Sequence, residues 1–101
     1  MHNQVFIIGR ITKIEQQPDA TNYIINVAVN RPFKDEDGIY QTDIIPVVLN
    51  EKFYSNLKGV CGINDLIGVK GWLTAENNNL VITADKITFL SSTKSKEEQN
   101  E

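Results

Sequence analysis

Apolar residues recur at every second position in several stretches of this chain, which is the period of a β-strand with one face on a core. In the predicted strand of residues 23–31 one set of alternate positions is apolar as far as residue 29: Tyr23, Ile25, Val27 and Val29. Residues 40–49 repeat the pattern, which predicts that Ile45, Val47 and Leu49 face inward while Ile44, Pro46 and Val48 face outward. Because Pro46 has no N–H for a ladder hydrogen bond, it predicts an edge position or a bulge.

The first predicted strand, residues 4–14, differs because both of its faces are apolar. Val5, Ile7 and Ile11 occupy one face, and Phe6 and Ile8 occupy the other. Branched and aromatic residues favour strands. A strand that is apolar on both sides is predicted to be covered on both sides.

The period changes to three or four residues between the third and fourth strands. Phe53, Leu57 and Val60 follow this helical spacing, Asn50 is a capping residue, and Gly59 is suited to a helix end. The sequence therefore predicts a short helix over residues 50–59.

Two further strands are predicted at residues 65–75 and 80–90, joined by a tight polar turn at residues 76–79. In the first of these strands, alternation predicts that Ile67, Val69 and Leu73 fill the interior. The opposite face carries Leu66, Gly68, Lys70 and Trp72. Residues 91–101 are polar and without periodicity, and are predicted to form a disordered tail.

Three strands, a helix and two more strands are the element order of a small oligonucleotide-binding (OB) fold. The predicted fold class is therefore all-β with one short helix, as a five-stranded Greek-key OB-fold barrel. Residues 1–90 form the single predicted domain.

Composition restricts the function classes. The 101 residues contain 41% apolar residues without a long apolar run, which predicts a soluble domain, and the first residues lack a secretion signal, which predicts a cytoplasmic protein. Cys61 is the sole cysteine, so it cannot form a disulfide within the chain, and together with the single His2 it cannot form a zinc site. It is predicted to fill space in or near the core as a small side chain. No metal or other cofactor is predicted.

A net charge of −3 is not the usual footprint of a nucleic-acid-binding protein. Binding of a polyanion would require the cations to cluster on one face, because local potential governs the contact. Arg31 and Lys34 lie close to Phe33 at the end of the second strand, which is consistent with such a cluster.

Several motifs occur in the order and spacing found in bacterial single-stranded DNA-binding proteins, and residues 1–90 resemble that family. These motifs are QVFIIGRIT (4–12), AVNRPF (28–33), DG (37–38), TDII (42–45), GVKGWL (68–73) and TADKITFL (83–90). The resemblance implies a non-catalytic protein that stacks single-stranded DNA bases on aromatic rings while cations follow the phosphates. It further implies a role in DNA replication, recombination or repair.

Site residues follow from the resemblance by position. Phe33 falls where the family has a stacking aromatic, and the other predicted nucleic-acid contacts are Arg10, Arg31, Lys34, Tyr40 and Ile44. Ile44 and Asn50 occupy positions where the family usually has aromatics, and the loop between the last two strands is short. A stacked base contributes about 1–3 kcal/mol, so weaker binding is predicted. The alternative for Phe33 is a lid over the barrel core.

An oligomer is also predicted. Trp72 lies on an outer face that packs barrel against barrel in the related family. The predicted homo-dimer or homo-tetramer interface comprises Val5, Phe6, Ile7, Ile8, Lys70 and Trp72. Pairing of the first strand would build the dimer.

Two alternatives to a general single-stranded DNA binder remain open. One is a replication-restart accessory like primosomal replication protein N. Members of that family bind DNA and also bind a replication protein, a helicase. The other is a barrel that has lost DNA binding and serves as a protein-interaction module. Catalysis is not predicted, because the sequence has no phosphate-cradling glycine loop and no nucleophile with an evident base.

Overall fold

The structure, a computed structural model, describes residues 2–16 and 22–91. Its elements are β1 (Val5–Gln16), β2 (Asn22–Lys34), β3 (Tyr40–Asn50), α1 (Glu51–Leu57), β4 (Leu66–Glu76) and β5 (Asn79–Ser91). The strands close into a barrel in the order β1-β2-β3-β5-β4. The predicted five-stranded barrel with one short helix is confirmed.

Strand β1 changes partner halfway along its length. It pairs with β4 from Val5 to Arg10 and with β2 from Arg10 to Gln16, antiparallel in both cases. A glycine is required near this crossing, because a Cβ at Gly9 would lie 2.8 Å from Cγ1 of Val27 and would overlap the Ala28 carbonyl. The barrel closes where β3 meets β5 in parallel, through the pairs Val47–Ile82 and Val48–Thr83.

The core is built from the alternate positions that the sequence predicted. Ile25, Val27 and Val47 have no exposed surface, and Leu49 has 1%. The buried cluster comprises Ile11, Ile25, Val27, Val47, Leu49, Leu57, Cys61, Ile67, Val69 and Ile82. Burial of Cys61 confirms its predicted role as a filler.

Two strand residues do not follow their predicted orientation or burial. Leu73, predicted to fill the barrel, is 43% exposed because the last pair between β1 and β4 is Val5–Gly71, so Leu73 lies past the end of β1. Val48, predicted to face outward, is only 7% exposed because it is flanked by Ile24 of β2 and Thr83 of β5. Strand alternation predicts a face, and neighbouring strands determine how far that face is covered.

The helix begins as predicted and ends earlier. The side chain of Asn50 accepts a 2.7 Å hydrogen bond from the backbone N–H of Phe53. Leu57 is the last helical residue, and Val60, predicted to continue the apolar face, lies in the following turn with 61% of its surface exposed. The rings of Tyr23 and Tyr54 stack with centroids 3.8 Å apart and so join α1 to β2.

The turn between β4 and β5 has the predicted chemistry. Asn77 and Asn78 adopt φ values of 49° and 68°, a left-handed conformation that asparagine tolerates better than most residues. Strand β5 includes Ser91, the first residue of the predicted tail. The remainder of that tail, residues 92–101, lies outside the described residues.

Candidate nucleic-acid interface

The β2–β3 hairpin extends beyond the body of the barrel. The last pair between β1 and β2 is Arg10–Ala28, and from residue 29 onward β2 pairs only with β3 among the described residues. We call residues 29–43 the arm. The sequence predicted a shorter second strand, ending at residue 31, whereas β2 continues to Lys34.

Asp35 shapes the tip of the arm. Its Oδ1 accepts hydrogen bonds of 2.9 Å from the backbone N–H groups of Asp37 and Ile39, and its Oδ2 accepts one from the Gln41 amide. These bonds, led by the one from Ile39, hold the pKa of the Asp35 carboxyl below its usual value. Gly38 completes the turn with φ of 78°. The acidic residues at the tip thus include a carboxylate that orders the backbone.

Phe33 projects from this ordered arm into solvent. Its side chain is 81% exposed, more than any other large apolar residue of the described chain. A lid over the core would be largely covered by the groups that it shields. The exposure therefore favours a binding surface over the lid.

Register places four of the predicted contacts on one face. Arg10 pairs with Ala28, and Ala28 pairs with Ile44, so their side chains point to the same side of the sheet. Tyr40 lies on that side too, four residues before Ile44, and Lys34 is its cross-strand partner. The Lys34 Nζ lies 5.6 Å from the centroid of the Tyr40 ring. We call Arg10, Lys34, Tyr40 and Ile44 the arm face.

A shallow cleft of about 500 Å³ follows the base of the arm face. Arg10, Asn30 and Thr42 provide its polar lining. The Arg10 guanidinium donates a 2.9 Å hydrogen bond to the Asn64 carbonyl, which holds the side chain at the cleft. The cleft thus combines a fixed cation with groups that donate and accept hydrogen bonds.

Arg31 does not join the arm face. Its Nε and Nη2 donate hydrogen bonds of 3.0 Å each to the two carboxylate oxygens of Asp43. Asp43 pairs with Val29, a residue packed against the core, which places the ion pair on the opposite face of the arm. The hydrogen bonds raise the pKa of Arg31 and lower the pKa of Asp43. The sequence analysis did not identify Asp43, because the alternation of apolar and polar residues does not indicate which side chains twelve positions apart form an ion pair.

Known proteins resemble this chain in sequence. The chain is 31% identical to the single-stranded DNA-binding protein B of Bacillus subtilis over 106 aligned residues, which cover 89% of this chain and 91% of that protein. It belongs to the single-stranded DNA-binding protein family. The resemblance seen in the motifs is thereby confirmed.

Solved structures show the same fold. A small single-stranded DNA-binding protein from Mycoplasma pneumoniae superposes with a TM-score of 0.70 at 23% identity, covering 86% of this chain and 92% of that one. PriB from Ralstonia solanacearum superposes with a TM-score of 0.62 at 14% identity, covering 88% and 98%. No family model matches the chain. The barrel is thus an OB fold, as predicted.

The chain departs from the family pattern where the sequence indicated. Ile44 is 55% exposed and presents an aliphatic side chain on the arm face. The side-chain oxygen Oδ1 of Asn50 caps α1. The β4–β5 connection is a tight turn without an aromatic residue.

The predicted interface residues divide between two sides of the barrel wall. Phe6, Ile8 and Trp72 are 63%, 48% and 42% exposed, and Lys70 is also exposed. Val5 and Ile7 instead pack against the core. These two residues can therefore offer a partner their backbone groups rather than their side chains.

Leu90 belongs to the same outer surface as Phe6. A Cβ at Gly68 would lie 3.2 Å from the Phe6 ring and 3.8 Å from Cδ1 of Leu90, so both side chains border that glycine. The sequence did not indicate Leu90, because a register shift between Leu66 and Ile67 inserts it as an extra residue of β5. We call Phe6, Ile8, Trp72 and Leu90 the outer patch.

Within residues 2–16 and 22–91, no three His, Cys, Asp or Glu side chains are grouped so that they could hold a metal ion. Helix α1 has seven residues. No helix in the described part of the chain is long and apolar enough to cross a membrane.

Proposed function

We propose that this protein binds single-stranded DNA without catalysis, through base stacking and phosphate contacts, in DNA replication, recombination or repair. The observation that carries the proposal is the 81% exposed ring of Phe33 on an ordered arm of a family barrel. A large apolar ring left in water at a fixed position is suited to stack on a base.

The arm face supplies the remaining contacts. Tyr40 offers a second ring, Ile44 offers an apolar side chain, and Arg10 and Lys34 are placed to contact phosphates. Net charge does not prevent this, because local potential governs the contact and both cations lie on the arm face. The charge of Arg31 is already paired with the Asp43 carboxylate through two of its five N–H donors, so we assign it a smaller contribution.

The first prediction concerns the nucleic acid and its salt dependence. Affinity for poly-dT should exceed affinity for duplex DNA of equal length, and anisotropy of a labelled oligonucleotide measures both. If about three to five phosphates are contacted, log affinity falls against log salt with a slope of roughly −2 to −3.5. Equal affinity for duplex, or no salt dependence, would contradict the proposal. Absence of any DNA binding would favour the protein-interaction module.

A homo-oligomer, a cytoplasmic location and a replication-protein partner are the finer parts of this proposal. The oligomer is supported by β1, which pairs with β4 alone over residues 5–9 of the described chain. An unpaired strand edge is a template for another strand. We propose a dimer formed by antiparallel pairing of this edge, with the outer patch extending the contact and permitting a tetramer.

The second prediction separates assembly from DNA binding. Light scattering should give at least a dimer at high micromolar protein, and Trp72→Ala should lower the mass while changing affinity for a short oligonucleotide less than about twofold. Leu80→Ala is the matched control, because Leu80 is 65% exposed on the hairpin tip, away from the outer patch. An 11.4 kDa monomer under these conditions would overturn the oligomer.

A further inference from the structure

A second concave site lies on the barrel away from the arm. Strand β5 meets β3 only at Ile82 and Thr83, so the wall opens beyond Thr83 between β5 and α1. The opening is a cleft of about 340 Å³. Phe53 of α1 and Phe89 of β5 line it, with Asn50, Asn56 and Lys52 among the other lining residues. We call it the α1–β5 cleft.

We propose that the α1–β5 cleft binds one base of the single-stranded DNA against the rings of Phe53 and Phe89. The inference rests on the proposed function and adds a subsite to it. The volume lies within the range of about 300–1,000 Å³ typical of small-ligand pockets. Phe89 is 38% exposed, so its ring is accessible to a stacked base.

The polar lining matches the chemistry of a nucleotide. The Asn50 oxygen is occupied by the Phe53 N–H at 2.7 Å, which leaves its amide NH₂ to donate to a base carbonyl. The Asn56 amide contains both a donor and an acceptor, the combination that base edges recognise. Lys52 supplies a cation for the adjoining phosphate. An apolar peptide side chain would use the rings but leave these groups without a function.

The position of Asn50 connects the cleft to the arm face. Asn50 and Ile44 lie six positions apart on β3, an even spacing that directs both side chains to one face. Six residues of strand span about 20 Å, which an extended single strand of roughly six nucleotides or fewer covers. One DNA strand is therefore long enough to reach from the arm face to Asn50 at the cleft.

The test combines two variants with a chemical probe in the full chain. Phe89→Leu keeps an apolar side chain but removes the ring, and it should weaken poly-dT binding at least about fivefold. Lys52→Gln should flatten the salt slope by up to about 0.7. Lys58→Gln is the matched control, because it removes the same charge from the end of α1 outside the cleft lining and should leave the slope unchanged.

A thiol at an exposed lining residue reports on occupancy. Val60 lines the cleft and is 61% exposed, whereas Cys61 is buried, so saturating poly-dT should slow the alkylation of Val60→Cys by iodoacetamide several-fold. Unchanged alkylation would overturn the inference, as would wild-type affinity in both Phe89→Leu and Lys52→Gln. If Phe89→Leu does not fold, Lys52→Gln and the alkylation rate decide. If only the subsite is wrong, the wild-type protein still binds poly-dT. If the proposed function is wrong, the wild-type protein does not bind poly-dT.

Discussion

Replacing Phe33 by alanine should weaken binding of single-stranded DNA by about 1–3 kcal/mol, or roughly five- to 150-fold. The ring is 81% exposed in the free protein, so its truncation removes a stacking surface rather than a core contact. Stacking releases no counterions, so the slope of log affinity against log salt should stay at its wild-type value. Anisotropy titrations of labelled poly-dT at several salt concentrations measure both quantities.

Thermal unfolding provides the control for Phe33→Ala. Substitutions at exposed positions change stability by about 0.5 kcal/mol or less, so Tm should match that of the wild type. A lid over the core would give the opposite pair of results, with a lower Tm and unchanged DNA affinity. That outcome would show that the arm is an ordinary surface hairpin and that Phe33 does not contact DNA.

The charged neighbours of Phe33 should behave differently from the ring. Lys34→Ala removes a cation from the arm face and should flatten the salt slope by up to about 0.7. Arg31→Ala should flatten it less, because the charge of this guanidinium is already paired with the Asp43 carboxylate. An Arg31 effect as large as that of Lys34 would show that DNA displaces Asp43.

Much of the barrel was predictable because strand alternation reports directly on burial. Ile25, Val27 and Val47 occupy the inward positions of their strands and are fully buried. Leu73 follows the same alternation but is exposed, because its burial depends on where β1 ends. The length of a neighbouring strand is a tertiary property that a local pattern does not contain.

The candidate site was predictable to a smaller extent for a related reason. Motif position indicated Phe33, Lys34 and Tyr40, and the register brings the last two within cation–π distance. The same motif grouped Arg31 with them, yet Arg31 follows Val29 by two residues and lies with Asp43 on the opposite face of the arm. Strand alternation indicates this face, whereas the motif gives only the order of residues along the chain.

The last prediction tests the register on which the outer patch depends. Gly71 is buried where β4 and β5 shift register, beside Trp72. A Cβ at Gly71 would overlap the Thr83 carbonyl oxygen, and would lie 2.9 Å from the Thr83 carbonyl carbon and 3.2 Å from the Ala84 Cα. Backbone atoms of a closed barrel cannot move aside without breaking ladder hydrogen bonds.

Gly71→Ala should therefore destabilise the protein by about 3 kcal/mol or more, at the upper end for overpacking, and lower Tm by roughly 12–24 °C. Gly59→Ala is the matched control, since no atom lies within 4 Å of a Cβ there and its backbone is outside the left-handed region. It should be neutral or stabilise by up to about 1 kcal/mol, because alanine restricts the unfolded chain. Calorimetry of both variants measures the contrast. Equal Tm values would mean that β4 and β5 pair in another register near Trp72, and the outer patch would then have to be redrawn.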